Sequence, residues 1–320
     1  MAGLAPSPSG KAEVCKTSIT SSNLVGASNF STSQPFFRAG FFSWSSMSLF
    51  APHVLLLFVM VGGAAGFIAG LMGIGGGIIM IPLFLWAFQV AGMAPEIIVH
   101  SAFGTSLAII IPTAFSSAVA HRRHGNVDWH QVLRMAGGSL LGVAIGSSLA
   151  AGLSGAALKA CFGVMQIGVG SHMLLRRHAP VAADQVPHPL PRLLFIGFIV
   201  GAFASFFGVG GGIIAVPLMV LLLGQTMHRA VGTSSGLMIF SAVFGTVSYV
   251  WHGWNHPLLP PYALGYVNLL VAAIMIPTTI LFARQGVRVA SRTPHDKLVK
   301  IFALFIITVG VWNVVKLFLP

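Results

Sequence analysis

Long apolar stretches, separated by short polar segments, dominate the chain from residue 51 onward. Residues 51–90 contain no Lys, Arg, Asp or Glu, and this stretch is about twice the roughly 20 residues that one membrane-spanning helix needs. We expect it to fold back on itself at the cluster Gly73, Gly75, Gly76 and Gly77, because adjacent glycines weaken a helix and permit backbone conformations that other residues avoid. Further apolar stretches at 99–120, 132–153 and 156–175 predict three more helices.

The same pattern occurs twice along the chain. The segment GFIAGLMGIGGGIIMIP at 66–82 matches GAFASFFGVGGGIIAVP at 201–217 without a gap. A Gly-Thr-Ser triplet follows each copy, at 104–106 and at 232–234. Several matches in the same order indicate an internal duplication.

The duplication divides the chain into four predicted segments. They are a disordered polar tail at 1–50, a first transmembrane repeat at 51–178, a cytoplasmic linker at 179–191 and a second transmembrane repeat at 192–320. The tail is rich in Ser, Gly and Pro and lacks a sustained apolar period, which is typical of disorder. Met47 stands just before the first apolar stretch and is an alternative start of translation.

Composition supports a membrane protein. Hydrophobic residues make up 56% of the chain and charged residues 7%, with a mean hydropathy of +0.90. A soluble domain carries about a quarter of its residues as charged ones, so soluble enzymes are excluded. The 17 basic residues outnumber the 5 acidic ones, but they cluster between apolar stretches, which is typical of membrane orientation and not of nucleic-acid binding. We predict a multi-pass membrane protein, and the sequence leaves open whether it forms a homo-oligomer.

The basic clusters also indicate that the two halves are inverted. Loop 121–134 carries three arginines and is assigned to the cytoplasm, whereas the turn at 152–156 has no charge and is assigned to the outside. In the second half the order reverses, because loop 252–260 has no Lys or Arg and segment 284–300 has five. The predicted fold class is an all-α polytopic membrane protein with an inverted duplication, in which each half is a broken helical hairpin plus three transmembrane helices.

Inverted repeats with broken helices are a transporter architecture, whose site lies near the midplane of the membrane. The free N–H groups and positive dipole of a helix N-terminus make a ready site for an anion. We therefore predict that the two glycine clusters and the nearby hydroxyl groups line one substrate site. Its predicted residues are Gly75, Gly76, Gly77, Gly210, Gly211, Gly212, Thr105, Ser106, Thr233, Ser234 and Ser235. The alternative is that the glycines permit tight packing and that the hydroxyls bond their own backbone or a neighbouring helix.

No carboxylate lies deep in a predicted span, so a buried acidic proton relay is not expected. If protons are coupled to transport, histidines must titrate. His100 and His228 are the candidates, because each stands four residues before the glycine of a Gly-Thr-Ser triplet. There is no P-loop pattern and no paired metal-ligand spacing, so we expect no catalytic residues, no cofactor and no metal.

The segments GIGGGIIMIP and GVGGGIIAVP, each followed by a Gly-Thr-Ser triplet, resemble the TauE/SafE family of sulfite and organosulfonate exporters over roughly residues 51–318. The resemblance implies a permease for small sulfur-containing anions in the bacterial inner membrane. The leading hypothesis is a secondary transporter that exports a small anion, such as sulfite or an organosulfonate, bound between the two glycine-rich helix breaks. The alternatives are a non-transport membrane protein, namely an enzyme or an assembly subunit, and a channel for another small solute.

Overall fold

The computed structural model describes residues 52–72, 75–175 and 188–290, together with 304, 307–312 and 314–315. The described helices and strands are α1 (Pro52–Met72), α2 (Gly77–Val90), α3 (Pro95–Arg122), α4 (Trp129–Ala151), α5 (Gly155–Leu175), α6 (Leu190–Phe206), α7 (Gly212–Leu223), α8 (Met227–His252), β1 (Ala263–Leu264), β2 (Val267–Asn268) and α9 (Leu269–Ala290). The predicted tail, Met47 and linker residues 179–187 lie outside the described residues.

Four helices in the described ranges are long and apolar enough to cross a bilayer. They are α3, α4, the segment His228–His252 of α8 and the segment Leu269–Val289 of α9. Shorter apolar helices accompany them, such as the 14-residue α2 and the 17-residue α6. The expectation of an all-helical membrane protein is confirmed at this level.

The predicted helix breaks occur at the two glycine clusters. In the first half, α1 ends and α2 begins around Gly75 and Gly76, whose φ angles are 81° and 71°. In the second half, α6 and α7 are joined through Gly210 and Gly211, with φ angles of 73° and 83°. These angles are strained for residues that carry a Cβ, so glycine is required at both breaks. Gly73 lies outside the described residues.

The first helix of each hairpin packs against a helix from the other half. Helix α1 lies along α9, and α6 lies along α4. Glycines allow the backbones to approach, because a Cβ added to Gly66 or Gly70 would collide with the backbone of α9, and one added to Gly138 or Gly142 with that of α6. The long helices α3 and α8 also contact each other.

A small β-hairpin follows α8, and the sequence pattern did not predict it. Strand β1 pairs with β2 in antiparallel register, with Ala263 opposite Asn268. The predicted loop at 252–260 therefore ended too early, since α9 begins only at Leu269. The predicted loop at 121–134 was too long, because α3 extends to Arg122 and α4 begins at Trp129.

Candidate functional site

The two glycine turns lie at one place in the structure, against the helices α3 and α8. A Cβ added to Gly75 would lie 2.9 Å from the Sδ atom of Met238 on α8. A Cβ added to Gly210 would lie 3.0 Å from Cγ2 of Ile110 on α3. Ile110 and Met238 are fully buried and belong to one apolar cluster. The structure thus brings together two clusters that lie in different halves of the sequence.

The three glycines of the first cluster have different neighbours. A Cβ on Gly77 would lie 2.8 Å from Cα of Val209, which belongs to the second turn. A Cβ on Gly76 would instead lie 2.7 Å from the carbonyl oxygen of Ala65, in its own hairpin. In the second cluster Gly211 likewise contacts its own hairpin, at Val200. The central glycines therefore close the hairpins, whereas Gly77 meets the other half.

Two helix N-termini begin at these turns, and side chains cap neither of them. Gly76 and Gly211 occupy the N-cap positions of α2 and α7. Their carbonyl oxygens accept the first hydrogen bonds of each helix, from the N–H groups of Ile79 and Ile214, both at 3.1 Å. The N–H groups that precede Ile79 and Ile214 have no acceptor within their own helix. They form the positive end of the helix dipole. All three glycines of each cluster are buried.

Ser106 adds a polar group beside the first turn. Its side chain is fully buried, and its Oγ atom has no hydrogen-bond partner among the described residues. That atom lies 3.1 Å from the position of a Cβ on Gly77. The equivalent Ser234 differs, because it donates a hydrogen bond to the carbonyl oxygen of Val231 at 2.9 Å. Ser235 donates to the same carbonyl oxygen at 2.9 Å.

The two threonines of the triplets hold the starts of other helices. Thr105 Oγ1 accepts a hydrogen bond from the N–H of Asn268 at 2.9 Å, and Thr233 Oγ1 accepts one from the N–H of Asp128 at 3.2 Å. Asn268 precedes α9 and Asp128 precedes α4. The side chain of each accepts a further hydrogen bond from the first turn of its helix, at 3.1 Å. Each threonine therefore fixes a helix start in the other half of the chain.

The triplet glycines serve the same contact. A Cβ on Gly104 would lie 2.8 Å from the carbonyl oxygen of Tyr266, and one on Gly232 would collide with the carbonyl of Asn126. Both carbonyls stand two residues before the capping residue that the neighbouring threonine binds. The glycine and the threonine of each triplet thus contact the other half of the chain. Within the triplets, Ser106 is the residue whose hydroxyl has no hydrogen-bond partner among the described residues.

The two candidate histidines occupy different environments. His100 is buried, its Nε2 atom donates to the carbonyl oxygen of Ala150 at 3.1 Å, and its ring stacks on that of Tyr266 with centroids 5.1 Å apart. His228 is exposed at the start of α8. Their equivalent spacing from the triplets therefore does not give them equivalent surroundings.

Sequence reasoning missed a third histidine that contacts a helix break. His121 is buried, and its Nε2 atom donates to the carbonyl oxygen of Gly70 at 3.1 Å, in the last turn of α1. In the second half, the Tyr249 hydroxyl donates to the carbonyl oxygen of Ser205 at 2.8 Å, in the last turn of α6. The sequence does contain a sign of this pair. Tyr249 follows His121 by as many residues as the second triplet follows the first, so the two hold equivalent positions.

An ion pair lies at the start of α4. The Arg229 guanidinium donates to the Asp128 carboxylate at 2.8 Å. Burial raises the pKa of this carboxyl, but the hydrogen bond from the Gln131 N–H and the contact with Arg229 outweigh it and hold the pKa below its ordinary value. Asp128 is therefore ionised at neutral pH.

Comparison with known protein families decides the class of protein. The family model described as sulfite exporter TauE/SafE matches residues 57–312. The chain belongs to this family. The resemblance that the glycine motifs carry is thus confirmed.

Relatives of this TauE/SafE family member cover most of the chain. A probable membrane transporter protein of Haemophilus influenzae is 30% identical over 257 residues, which are 80% of this chain and 97% of the relative. The probable membrane transporter protein YunE of Bacillus subtilis is 26% identical over 80% of this chain and 95% of its own length. A probable membrane transporter protein of Methanocaldococcus jannaschii is 27% identical over 74% of this chain and 86% of its own. No solved structure matches the chain.

These comparisons show that the protein is a multi-pass membrane transporter of a small molecule, and that it is not an enzyme. No group of three or more His, Cys, Asp or Glu side chains that could hold a metal ion is found in the described part of this TauE/SafE protein.

Proposed function

We propose that this TauE/SafE family member is a secondary transporter of the cell inner membrane, which exports small anions such as sulfite or an organosulfonate. The anion binds between the two glycine turns. The observation that carries this proposal is the meeting of two uncapped helix N-termini beside the buried hydroxyl of Ser106, which has no hydrogen-bond partner among the described residues. Free N–H groups and a hydroxyl can all donate hydrogen bonds to the oxygens of one anion.

The charges of the described residues favour an anion at this position. The acidic residues among them are Glu96, in the first turn of α3, and Asp128, at the start of α4. Both lie at helix starts. Neither carboxylate is among the atoms nearest to the glycine turns. Within the described residues, the dipoles of α2 and α7 are therefore not offset by a carboxylate that contacts the turns.

Ile110 and Met238 pack against both turns, and we infer that this arrangement is a closed state. A ligand reaches the free N–H groups only when the turns separate from these two side chains. Such a movement fits two halves that are related by an inverted duplication and that rock against each other. The exchanged pairs support a duplication. Helix α1 packs on α9 as α6 packs on α4. Thr105 binds the residue that caps α9, as Thr233 binds the residue that caps α4.

Export is the direction that needs no coupled ion. A negative cytoplasm drives an anion outward with about 2.3 kcal/mol per charge per 100 mV. An exporter of this kind can therefore work without a carboxylate in its spans. Uptake would need an accompanying cation, for which histidines are the candidates.

A flux assay in proteoliposomes tests the proposal. Sulfite, sulfate, thiosulfate and sulfoacetate are compared at a clamped membrane potential, with and without a pH gradient. We expect saturable flux of at least one of these anions that follows the potential. Flux of none of them through correctly folded protein would reject the substrate class, and flux that does not saturate would favour a channel.

A further inference from the structure

A pocket between three of the long helices joins one cationic side chain to an apolar wall. It has a volume of about 280 Å³ and lies between α3, α8 and α9. Its lining includes Phe115, Ser116, Val119, Ile239, Ile280 and Arg284. The side chain of Phe115 is 59% exposed, so the apolar wall is open to the surroundings of the helices, which in a membrane are lipid.

The Arg284 side chain is held across the pocket. Its Nε atom donates a hydrogen bond to Ser116 Oγ at 3.2 Å, and Ser116 donates to the carbonyl oxygen of Ile280 at 3.2 Å. An arginine that only reaches for water would extend along its helix toward the membrane surface. Arg284 is instead tied to α3, and it forms no ion pair with a carboxylate among the described residues.

The depth of the pocket matches a lipid headgroup. Arg284 lies five residues before the end of the apolar segment Leu269–Val289, which corresponds to about 7.5 Å along the helix. Ser116 lies six residues before Arg122, the last residue of α3, or about 9 Å from that end. Both positions are near the end of a span, where a guanidinium costs less than at the centre of the membrane and where basic pockets bind anionic headgroups.

We propose that this pocket binds an anionic phospholipid, with the Arg284 guanidinium on its phosphate and an acyl chain along Phe115 and Val119. Guanidinium and phosphate form parallel charge-assisted hydrogen bonds. A small hydrated anion would gain little from the apolar wall. An acyl chain can pack against this wall without giving up any contact with water. The inference does not depend on which anion the protein transports.

The two polar groups of the pocket are not repeated at the positions that the duplication makes equivalent. Asp128 and Asn268 hold equivalent positions before α4 and α9. Ala144 follows Asp128 by as many residues as Arg284 follows Asn268, so Ala144 is the equivalent of Arg284. The spacing that relates the two triplets places Phe244 at the position equivalent to Ser116, and its ring contacts that of Phe240 with centroids 6.4 Å apart. The equivalent positions on α4 and α8 therefore carry neither polar group, and we expect one such lipid site among the described residues, in one leaflet.

Lipid titration of the purified full chain in detergent, followed by native mass spectrometry, tests the proposal. Dioleoyl phosphatidylglycerol is compared with dioleoyl phosphatidylcholine. Arg284→Gln should bind phosphatidylglycerol about fivefold more weakly, the effect of one basic residue near a membrane surface. Arg134→Gln, which removes an exposed arginine of α4 outside the pocket, is the matched control and should bind it like the wild type. Millimolar inorganic phosphate should not displace the lipid.

A second variant makes the test independent of the charge. Val119→Trp fills the pocket and leaves Arg284 in place, so it should also weaken phosphatidylglycerol binding. Equal binding by Arg284→Gln and Arg134→Gln would overturn the proposal, as would displacement of the lipid by inorganic phosphate, which indicates a small-anion site. If Arg284→Gln does not fold, unchanged binding by Val119→Trp overturns it alone.

Discussion

Replacing Ser106 with alanine should weaken anion binding without weakening the fold. A buried hydroxyl without a partner costs about 1–3 kcal/mol, and Ser106 Oγ has none among the described residues. Its removal should therefore leave the free energy of unfolding unchanged or raise it. A hydrogen bond from this hydroxyl to a bound anion is worth about 1.5–3 kcal/mol. The Kd of the anion should accordingly rise about 10- to 150-fold.

The assay measures two quantities on the same protein. The concentration dependence of anion flux in proteoliposomes gives the KM, and thermal unfolding in detergent gives the stability. Ser241→Ala is the matched control, because Ser241 is a fully buried serine of α8 whose hydroxyl donates to the carbonyl oxygen of Leu237 at 2.9 Å. We expect the control to keep the KM and to lose about 1 kcal/mol of stability.

Two results would refute this reasoning about Ser106. An unchanged KM in folded Ser106→Ala would show that the hydroxyl does not contact the transported anion. A loss of stability as large as that of Ser241→Ala would show that the hydroxyl already has a partner within the protein.

Three further predictions concern the same region. Gly77→Ala should abolish flux in proteoliposomes, because its methyl group would lie 2.8 Å from the backbone of the second turn; normal flux would assign Gly77 to packing alone. Thr105→Val and Thr233→Val should each lower the unfolding free energy by about 1–3 kcal/mol, since each leaves a helix-start N–H without its acceptor; unchanged thermal unfolding would contradict this. In the double variant His100→Gln, His228→Gln, any pH dependence of flux beyond protonation of the substrate should disappear at clamped potential; if it persists, other groups carry the protons.

The helix breaks could be predicted from the sequence because two local properties coincide there. The first apolar stretch is too long for one span, and its glycines stand near its middle. Both properties belong to neighbouring residues, so no knowledge of tertiary contacts was needed. The same reasoning could not show that Gly76 contacts its own hairpin and Gly77 the opposite half, since that difference depends on how the halves pack.

The docking role of the triplets could not be read from the sequence. Thr105 binds a residue 163 positions away, and Thr233 binds one 105 positions away. Asn268 stands in a largely apolar stretch of sequence, which gives no local sign of the β-hairpin or of the start of α9. His121 was assigned to a loop, although α3 continues past it. In each case the partner is distant in sequence and the local pattern is ambiguous.

The ion pair of Asp128 and Arg229 should make stability depend on pH in the acid range. The pKa of the Asp128 carboxyl is lower in the folded chain than in the unfolded one. The pair therefore stabilises the fold above the ordinary carboxyl pKa, and its contribution is lost as the pH falls through the folded pKa. Asp128→Asn keeps the oxygen that caps α4 but removes the charge, so it isolates the pair from the cap.

The expected effect is small, because the side chains of Asp128 and Arg229 are 17% and 35% exposed and water screens their attraction. At pH 7 the Asp128→Asn variant should be about 0.5–1 kcal/mol less stable than the wild type. Thermal unfolding from pH 7 down to about pH 3 should show that the wild type loses this advantage while the variant changes less. Asn268 already caps α9 with an uncharged amide oxygen, which shows that an asparagine can serve as such a cap. An equally steep acid loss in Asp128→Asn would therefore assign the titration to other groups of the chain.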